Sequence, residues 1–139
     1  MDNPGAENME PIPLWGTILS RIDPPPTGWR TTGWARASNL AMSLAIGDGA
    51  IEVRGFGPLR GALEAFGGPR SLQPSQTVMW MTSVGESIGR WRVPWTEREW
   101  LALSSPLGDG TEYTLAVRPA DGDFDRLRAA LRMAGVSDA

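Results

Sequence analysis

The sequence predicts a mainly β (α+β) fold of about seven antiparallel strands, arranged as a bent barrel or sandwich with one C-terminal capping helix. Three observations support this prediction. Several segments alternate apolar and polar residues with the period of two that is typical of half-buried strands. The 17 glycines and 12 prolines among 139 residues favour many turns over long helices. Only the last part of the chain combines helical spacing of apolar residues with capping residues at both ends.

The domain boundaries follow from where this patterning begins and ends. Residues 1–13 contain Pro, Gly, Asn and acids without periodicity and are predicted to be a flexible tail. Residues 14–136 form the predicted single domain, and residues 137–139 a short C-terminal tail. The first strand is expected over residues 14–22. An extended loop follows it, because three consecutive prolines at residues 24–26 supply no amide donors.

The middle of the chain contains a clear hairpin pattern. Residues 40–46 alternate bulky and small side chains, residues 47–49 (GDG) favour a turn, and residues 51–54 alternate again. Pro58 can begin a short helix, which residues 67–69 (GGP) would end.

Four further segments complete the predicted fold. Residues 76–84 and residues 88–95 are each predicted to form one strand, because both segments are rich in bulky side chains. Residues 99–104 are predicted to be another strand, although residues 96–99 also fit a helix capping box. Residues 113–118 show the cleanest alternation in the chain.

The C-terminal helix carries its own start and stop signals. Asp123 is a candidate N-cap, and Gly135 is a candidate stop. Phe124, Leu127 and Leu131 form an apolar stripe that must pack against a sheet or a barrel mouth.

Three residue types are missing from the sequence, and their absence limits the possible chemistry. There is no Cys, His or Lys, so all thirteen basic residues are Arg. Thiol and imidazole catalysis, Schiff-base chemistry and the usual zinc ligand sets are therefore excluded. We expect no metal and no cofactor, and the balance leans against an enzyme. The carboxylate pair Glu97 and Glu99 is the one catalytic arrangement left open.

The net charge of −3 and the isoelectric point near 4.9 argue against a nucleic-acid partner, because phosphate binding needs concentrated positive charge. The longest apolar stretch is far shorter than the ~20 residues that span a bilayer. The acidic start of the chain lacks a signal-peptide pattern, so a cytoplasmic location is expected.

Tryptophan and arginine are the side chains that could carry binding. Trp29, Arg30 and Trp34 lie in an irregular segment (GWRTTGW) and are the preferred contact surface, since Trp and Arg are enriched in interface hot spots. Core packing is the favoured interpretation of Trp80, Trp91 and Trp100. The candidate binding residues, for a protein or a ligand, are Trp29, Arg30, Trp34, Arg54, Arg60, Trp91 and Trp95.

Other patterns have simpler explanations than a site. Five arginines could form an anion site, namely Arg54, Arg60, Arg90, Arg92 and Arg118. The alternation around the last three instead favours solvated strand faces paired with Glu. The acids of residues 121–125 superficially match a calcium loop, yet helix capping explains them better. Tyr113, the single tyrosine, is expected to point inward.

Two segments resemble bacterial pleckstrin-homology-like domains. Residues 91–97 (WRVPWTE) are similar to a strand entry of that family, and residues 113–136 are similar to its last strand and capping helix. The resemblance covers residues 34–136 and implies a binding or assembly module. Phosphoinositide binding is not implied, because the first hairpin turn, residues 47–49, carries an acid and no base.

The leading hypothesis is a non-catalytic protein-interaction or assembly module that associates with itself or with a larger complex. One alternative is a small β-barrel that binds a hydrophobic small molecule, or catalyses a reaction by shape. Another is an acidic immunity or inhibitor protein that covers a basic partner.

Overall fold

Two β-sheets and a C-terminal helix form the fold. The computed structural model describes residues 11–23, 35–38, 42–47, 49–54, 71–84, 87–88, 91–92, 98–108 and 110–139. The strands within these residues are β1 (Ile12–Leu14), β2 (Thr17–Asp23), β3 (Ala35–Ser38), β4 (Met42–Ile46), β5 (Ile51–Arg54), β6 (Val78–Val84), β7 (Ser87–Ile88), β8 (Trp91–Arg92), β9 (Arg98–Pro106), β10 (Glu112–Val117) and β11 (Ser137–Asp138). A 3-10 turn (Pro74–Gln76) precedes β6, and helix α1 (Phe124–Ala134) precedes β11.

The larger sheet has six strands in the order β11-β6-β9-β10-β2-β3, and the smaller has three in the order β1-β4-β5. Strands β7 and β8 form a separate pair. Only the β11–β6 pairing is parallel among the described strands. The mainly β prediction with one helix near the C-terminus is confirmed. Within the described residues the sheets do not close into a barrel, so the sandwich is the arrangement that the structure supports.

The main hydrophobic core lies between the two sheets and the helix. Leu44 and Ile51 contribute to it from the smaller sheet, and Leu101 from the larger one. The predicted helix stripe is confirmed, since Leu127 and Leu131 are fully buried in the same cluster. The helix therefore covers the core from one side, as the apolar stripe required.

The predicted first strand is divided between the two sheets. Residues 12–14 pair with β4, whereas β2 pairs with both β10 and β3 of the same chain. The change of sheet falls at Trp15, whose backbone N donates to the carbonyl oxygen of Arg118 at 2.8 Å. Strand pairing begins at Ile12, within the predicted N-terminal tail. It ends at Asp138, within the predicted C-terminal tail.

Residues 88–95 do not form the single strand that the pattern predicted. Ile88 of β7 pairs antiparallel with Trp91 of β8, so these two residues belong to different strands. Glu99 lies in β9, so the capping-box alternative at residues 96–99 is wrong. The short helix expected after Pro58 lies outside the described residues.

Both predicted caps of the C-terminal helix are confirmed. The Asp123 side chain accepts a hydrogen bond from the backbone N of Arg126 at 3.0 Å. Gly135 adopts a left-handed conformation with φ 111°, and its N donates to the carbonyl oxygen of Arg132. The Val136 N donates to the carbonyl oxygen of Leu131, which completes a Schellman-type ending.

Arginines of the helix also hold the last strand in place. The Arg132 Nε donates to Asp138 at 2.8 Å, and Arg128 approaches the same carboxylate at 3.3 Å. The hydrogen bond from Arg132 holds the pKa of Asp138 below its usual value. The chain end is thereby tied to the helix that precedes it.

Candidate functional site: an arginine–tryptophan cluster

Strand β10 is buried on both of its faces. Tyr113, Leu115 and Val117 point into the main core, as the alternation predicted. Thr114 and Ala116, on the opposite face, are also buried. Ala116 belongs to a second, smaller apolar cluster on this outer face of the six-stranded sheet.

The second cluster is built around Trp100. The other buried members are Leu19 and Ala116, and the half-buried Trp15 packs against them. The ring centroids of Trp15 and Trp100 lie 5.9 Å apart with an interplanar angle of 61°, a T-shaped arrangement. Such pairs contribute about 0.5–1.5 kcal/mol beyond the area they bury. Core packing, predicted for Trp100, is confirmed by its exposed fraction of 1%, whereas Trp80 is half-buried.

Backbone pairing explains why Trp15 reaches this position. Leu14 forms an isolated antiparallel bridge with Pro119, and Trp15 is hydrogen-bonded to Arg118 through the backbone. The residue that leaves the smaller sheet is therefore fixed beside the end of β10. Its indole covers the rim of the second cluster.

Two arginines approach the Trp15 ring. The guanidinium carbon of Arg98 lies 4.8 Å from the ring centroid, and that of Arg118 lies 5.6 Å from it. Arg118 also lies 5.8 Å from the Trp100 ring and 5.6 Å from the Phe124 ring. Each cation–π contact of this kind contributes about 0.5–1 kcal/mol at an exposed site. We call Trp15, Arg98, Trp100 and Arg118 the Arg–Trp cluster.

The strand geometry brings the two guanidinium groups together. Arg98 is the first residue of β9, and Arg118 directly follows β10, which pairs antiparallel with β9. Both residues therefore lie at the same end of the sheet. The Arg118 Nη1 also donates a hydrogen bond to the backbone carbonyl oxygen of Glu99.

The electrostatic environment of the cluster disfavours a second positive charge. Burial lowers the pKa of Arg118, and the neighbouring charge of Arg98 lowers it further, while Glu99 acts in the opposite direction. Within the residues that the structure describes, neither Arg98 nor Arg118 forms an ion pair. The sequence favoured a solvated face paired with Glu for Arg118. Instead its guanidinium lies against aromatic rings, because Trp15 arrives there from another sheet.

One buried donor in the cluster lacks a conventional acceptor. The Trp100 Nε1 is inaccessible to solvent and has no hydrogen-bond partner among the described residues. A buried N–H usually has a partner, and leaving one unpaired costs about 1–3 kcal/mol. The cluster therefore contains two unfavourable features, the unpaired Trp100 N–H and the adjacent positive charges of Arg98 and Arg118.

The structure describes two of the seven candidate binding residues, Arg54 and Trp91. Trp29, Arg30, Trp34, Arg60 and Trp95 lie outside the described residues, as does Glu97 of the carboxylate pair. Trp91 belongs to β8. Arg54 ends β5 and lies 3.8 Å from Glu52, with a side chain that is 63% exposed. The binding roles of these residues stay predictions.

A small cavity lies at the edge of the three-stranded sheet, beside Arg54. Its volume is about 230 Å³, and Ile46, Glu52 and Arg54 are among the residues that line it. Sites for drug-sized ligands occupy about 300–1,000 Å³ and are mostly apolar. This cavity is smaller and carries an ion pair, so it does not favour the hydrophobic-ligand hypothesis.

Neither a metal site nor a membrane-spanning helix is found in the described part of the chain. None of its Asp or Glu residues cluster in groups of three that could hold a metal ion. None of its helices is long and apolar enough to cross a membrane. Comparisons with known protein families, curated proteins and solved structures found no match to this chain.

Sequence reasoning missed Trp15 and Arg98 as members of a site. Trp15 lies inside the predicted first strand, and no local pattern marks Arg98 as a binding residue. Their contact joins residues far apart in sequence, so no local spacing reveals it. The only available signal was the overall abundance of Trp and Arg.

Proposed function

We propose that this protein is a non-catalytic protein-interaction or assembly module and that the Arg–Trp cluster forms part of its contact surface. The observation that carries the proposal is the exposed Arg98 guanidinium over the half-buried Trp15 ring, with no ion pair to any residue that the structure describes. Tryptophan and arginine are the residues most enriched in interface hot spots. A preformed stack also loses little side-chain freedom on binding, which favours affinity.

The chemistry of the described residues supports a binding role over catalysis. A chain without Cys, His or Lys has no thiol or amine nucleophile and no imidazole base to activate a serine near neutral pH. The single phenol, on Tyr113, is buried, and burial raises its pKa to about 12. It is therefore a poor acid or base near neutral pH.

The pleckstrin-homology-like resemblance is part of the same proposal. A mainly β fold with one helix near the C-terminus is compatible with such a module, which would act in the cytoplasm as a subunit of an assembly. The partner is a protein, either a second copy or a different chain. Size-exclusion chromatography with light scattering distinguishes these two cases.

Affinity capture with quantitative mass spectrometry tests the proposal. The tagged protein, Arg98→Glu and Arg126→Glu are compared in parallel. Arg126 is a matched control because its exposed guanidinium pairs with Asp121, whereas the guanidinium groups over the Trp15 ring are those of Arg98 and Arg118. We expect a partner that is retained by Arg126→Glu and lost by Arg98→Glu. A strictly monomeric protein whose captured proteins do not respond to Arg98→Glu contradicts the proposal.

A further inference from the structure

Charged residues lie at both ends of the outer face of the six-stranded sheet, and Arg21 lies between the two ends, opposite Thr114. Arg98 and Arg118 mark one end. Asp23 and Glu112 pair with each other on the same face. They lie at its other end, about 20 Å from Arg118 along β10 at the usual rise per residue.

Among the described residues, neither arginine at the positive end forms an ion pair, although the charge of Glu99 acts on Arg118. A distance of about 20 Å exceeds the screening length of about 8 Å at physiological ionic strength. Two arginine charges beside the one of Glu99 leave an excess of positive charge in the described part of the cluster, although the whole chain has a net charge of −3. Such an excess selects a partner by local charge complementarity.

The stacking geometry restricts which anion fits. A guanidinium that lies over an indole ring has one flat face covered, but its N–H edge remains able to donate. A carboxylate matches that edge, because its two oxygens accept parallel hydrogen bonds from the guanidinium fork. A nucleic acid or an anionic lipid surface presents many closely spaced charges, which the sixteen acids of this chain would repel more strongly than a short acidic segment.

We infer that Arg98 and Arg118 bind the carboxylates of an acidic segment of the protein partner. This inference rests on the proposed function and names the chemistry by which the same cluster recognises its partner. Arg98 supplies the accessible fork, and Arg118 supplies a second positive charge held between three aromatic rings. Trp15 provides an apolar surface beside the bound carboxylate.

Calorimetric titration with two synthetic peptides tests the inference. One peptide alternates Glu and Gly, and the other has Gln in place of every Glu. We expect the Glu peptide alone to bind, with affinity that falls as salt rises. Arg98→Glu should weaken that binding at least about tenfold, as expected for loss of a charge-assisted pair. Arg98→Gln, which removes the charge without reversing it, should weaken it less.

Three results would overturn the inference. The Gln peptide could bind equally well, or Arg126→Glu, which changes the net charge identically, could weaken binding as much as Arg98→Glu. Inorganic phosphate could also displace the peptide at a lower concentration than acetate does, which would assign the site to phosphate. Thermal unfolding of each variant checks that it remains folded.

The failure of this inference is distinguishable from the failure of the proposed function. A captured partner that depends on Arg98, together with no binding of the Glu peptide, rejects the carboxylate chemistry but not the interaction surface. Captured proteins that ignore Arg98 reject the proposed function, whatever the peptides show.

Discussion

The Arg98 guanidinium carbon lies 4.8 Å from the centroid of the Trp15 ring, although the two residues come from opposite parts of the chain. Trp15 leaves the smaller sheet, whereas Arg98 begins a strand in the middle of the larger one. Their contact joins the two sheets at the surface and creates the Arg–Trp cluster. The stability of the fold and the proposed binding role therefore share one residue.

Replacing Trp15 with Ala should destabilise the fold. The substitution removes the ring that covers Trp100 and both cation–π contacts, and we expect a loss of about 2–4 kcal/mol in the free energy of unfolding. Trp15→Phe keeps an aromatic ring at the site and should retain most of that stability. Urea denaturation of the two variants measures both effects. Equal stability of Trp15→Ala and the unchanged protein would contradict the described packing.

The stability of the protein should fall steeply in the alkaline range because of Tyr113. Burial raises the pKa of its phenol from 10.0 to about 12, and a hydrogen bond with Ser20 offsets a small part of this shift. The folded state favours the neutral phenol, so the stabilisation is complete below pH 10 and is lost as the pH rises towards 12. The total loss is about 2–3 kcal/mol.

This alkaline transition can be assigned unusually cleanly. The chain has one Tyr and no Lys or Cys, so few other groups titrate in that range. Phenolate absorbance should give the raised pKa directly, and Tyr113→Phe should remove the loss of stability above pH 10. A titration midpoint near 10 in the folded protein would show that the phenol is not buried.

Removing the N-cap of helix α1 should weaken it measurably. Asp123→Ala deletes the acceptor of the Arg126 backbone N–H, and we expect a loss of about 1 kcal/mol. Asp125→Ala is the matched control, since it removes the same charge from the first turn without removing the cap. It should cost only a few tenths of a kcal/mol. Equal losses in chemical denaturation would mean that charge alone stabilises the helix start.

Two glycine substitutions separate backbone strain from steric crowding. Gly135→Ala places a side chain at φ 111°, where L-residues are strained, although the new Cβ would make only ordinary contacts, with Pro74 at 3.7 Å and Ser75 at 4.0 Å. We expect a loss of about 1–2 kcal/mol. Gly49→Ala has open space and no positive φ, so its stability should change by less than about 1 kcal/mol. Thermal denaturation measures both variants, and indistinguishable effects would contradict the αL ending.

Local patterns predicted much of this fold from the sequence. The hairpin of β4 and β5, the alternation of β10 and both helix caps follow from spacings of a few residues. The break at Trp15 and the pairing of Ile88 with Trp91 were missed, because the patterns of residues 14–22 and 88–95 each suggest one uninterrupted strand. Hydrogen bonds to distant strands decide these boundaries, as the Trp15 bond to Arg118 shows.

The candidate site was less predictable than the fold. The abundance of Trp and Arg indicated the side chains that could bind, but the preferred residues lay in the segment around Trp29 and Trp34. The Arg–Trp cluster depends on a T-shaped ring pair and on two cations from neighbouring strand ends. Such a contact follows from tertiary packing, which no sequence period encodes.

The dissociation constant of the captured complex, compared between Arg98→Glu and Arg126→Glu, tests the central claim most directly. The two variants change the net charge by the same amount, so any difference between them reports the position of the charge. We expect Arg98→Glu to raise the dissociation constant at least about tenfold and Arg126→Glu to leave it within about twofold. Equal constants for the two variants would contradict the assignment of the contact surface to the Arg–Trp cluster.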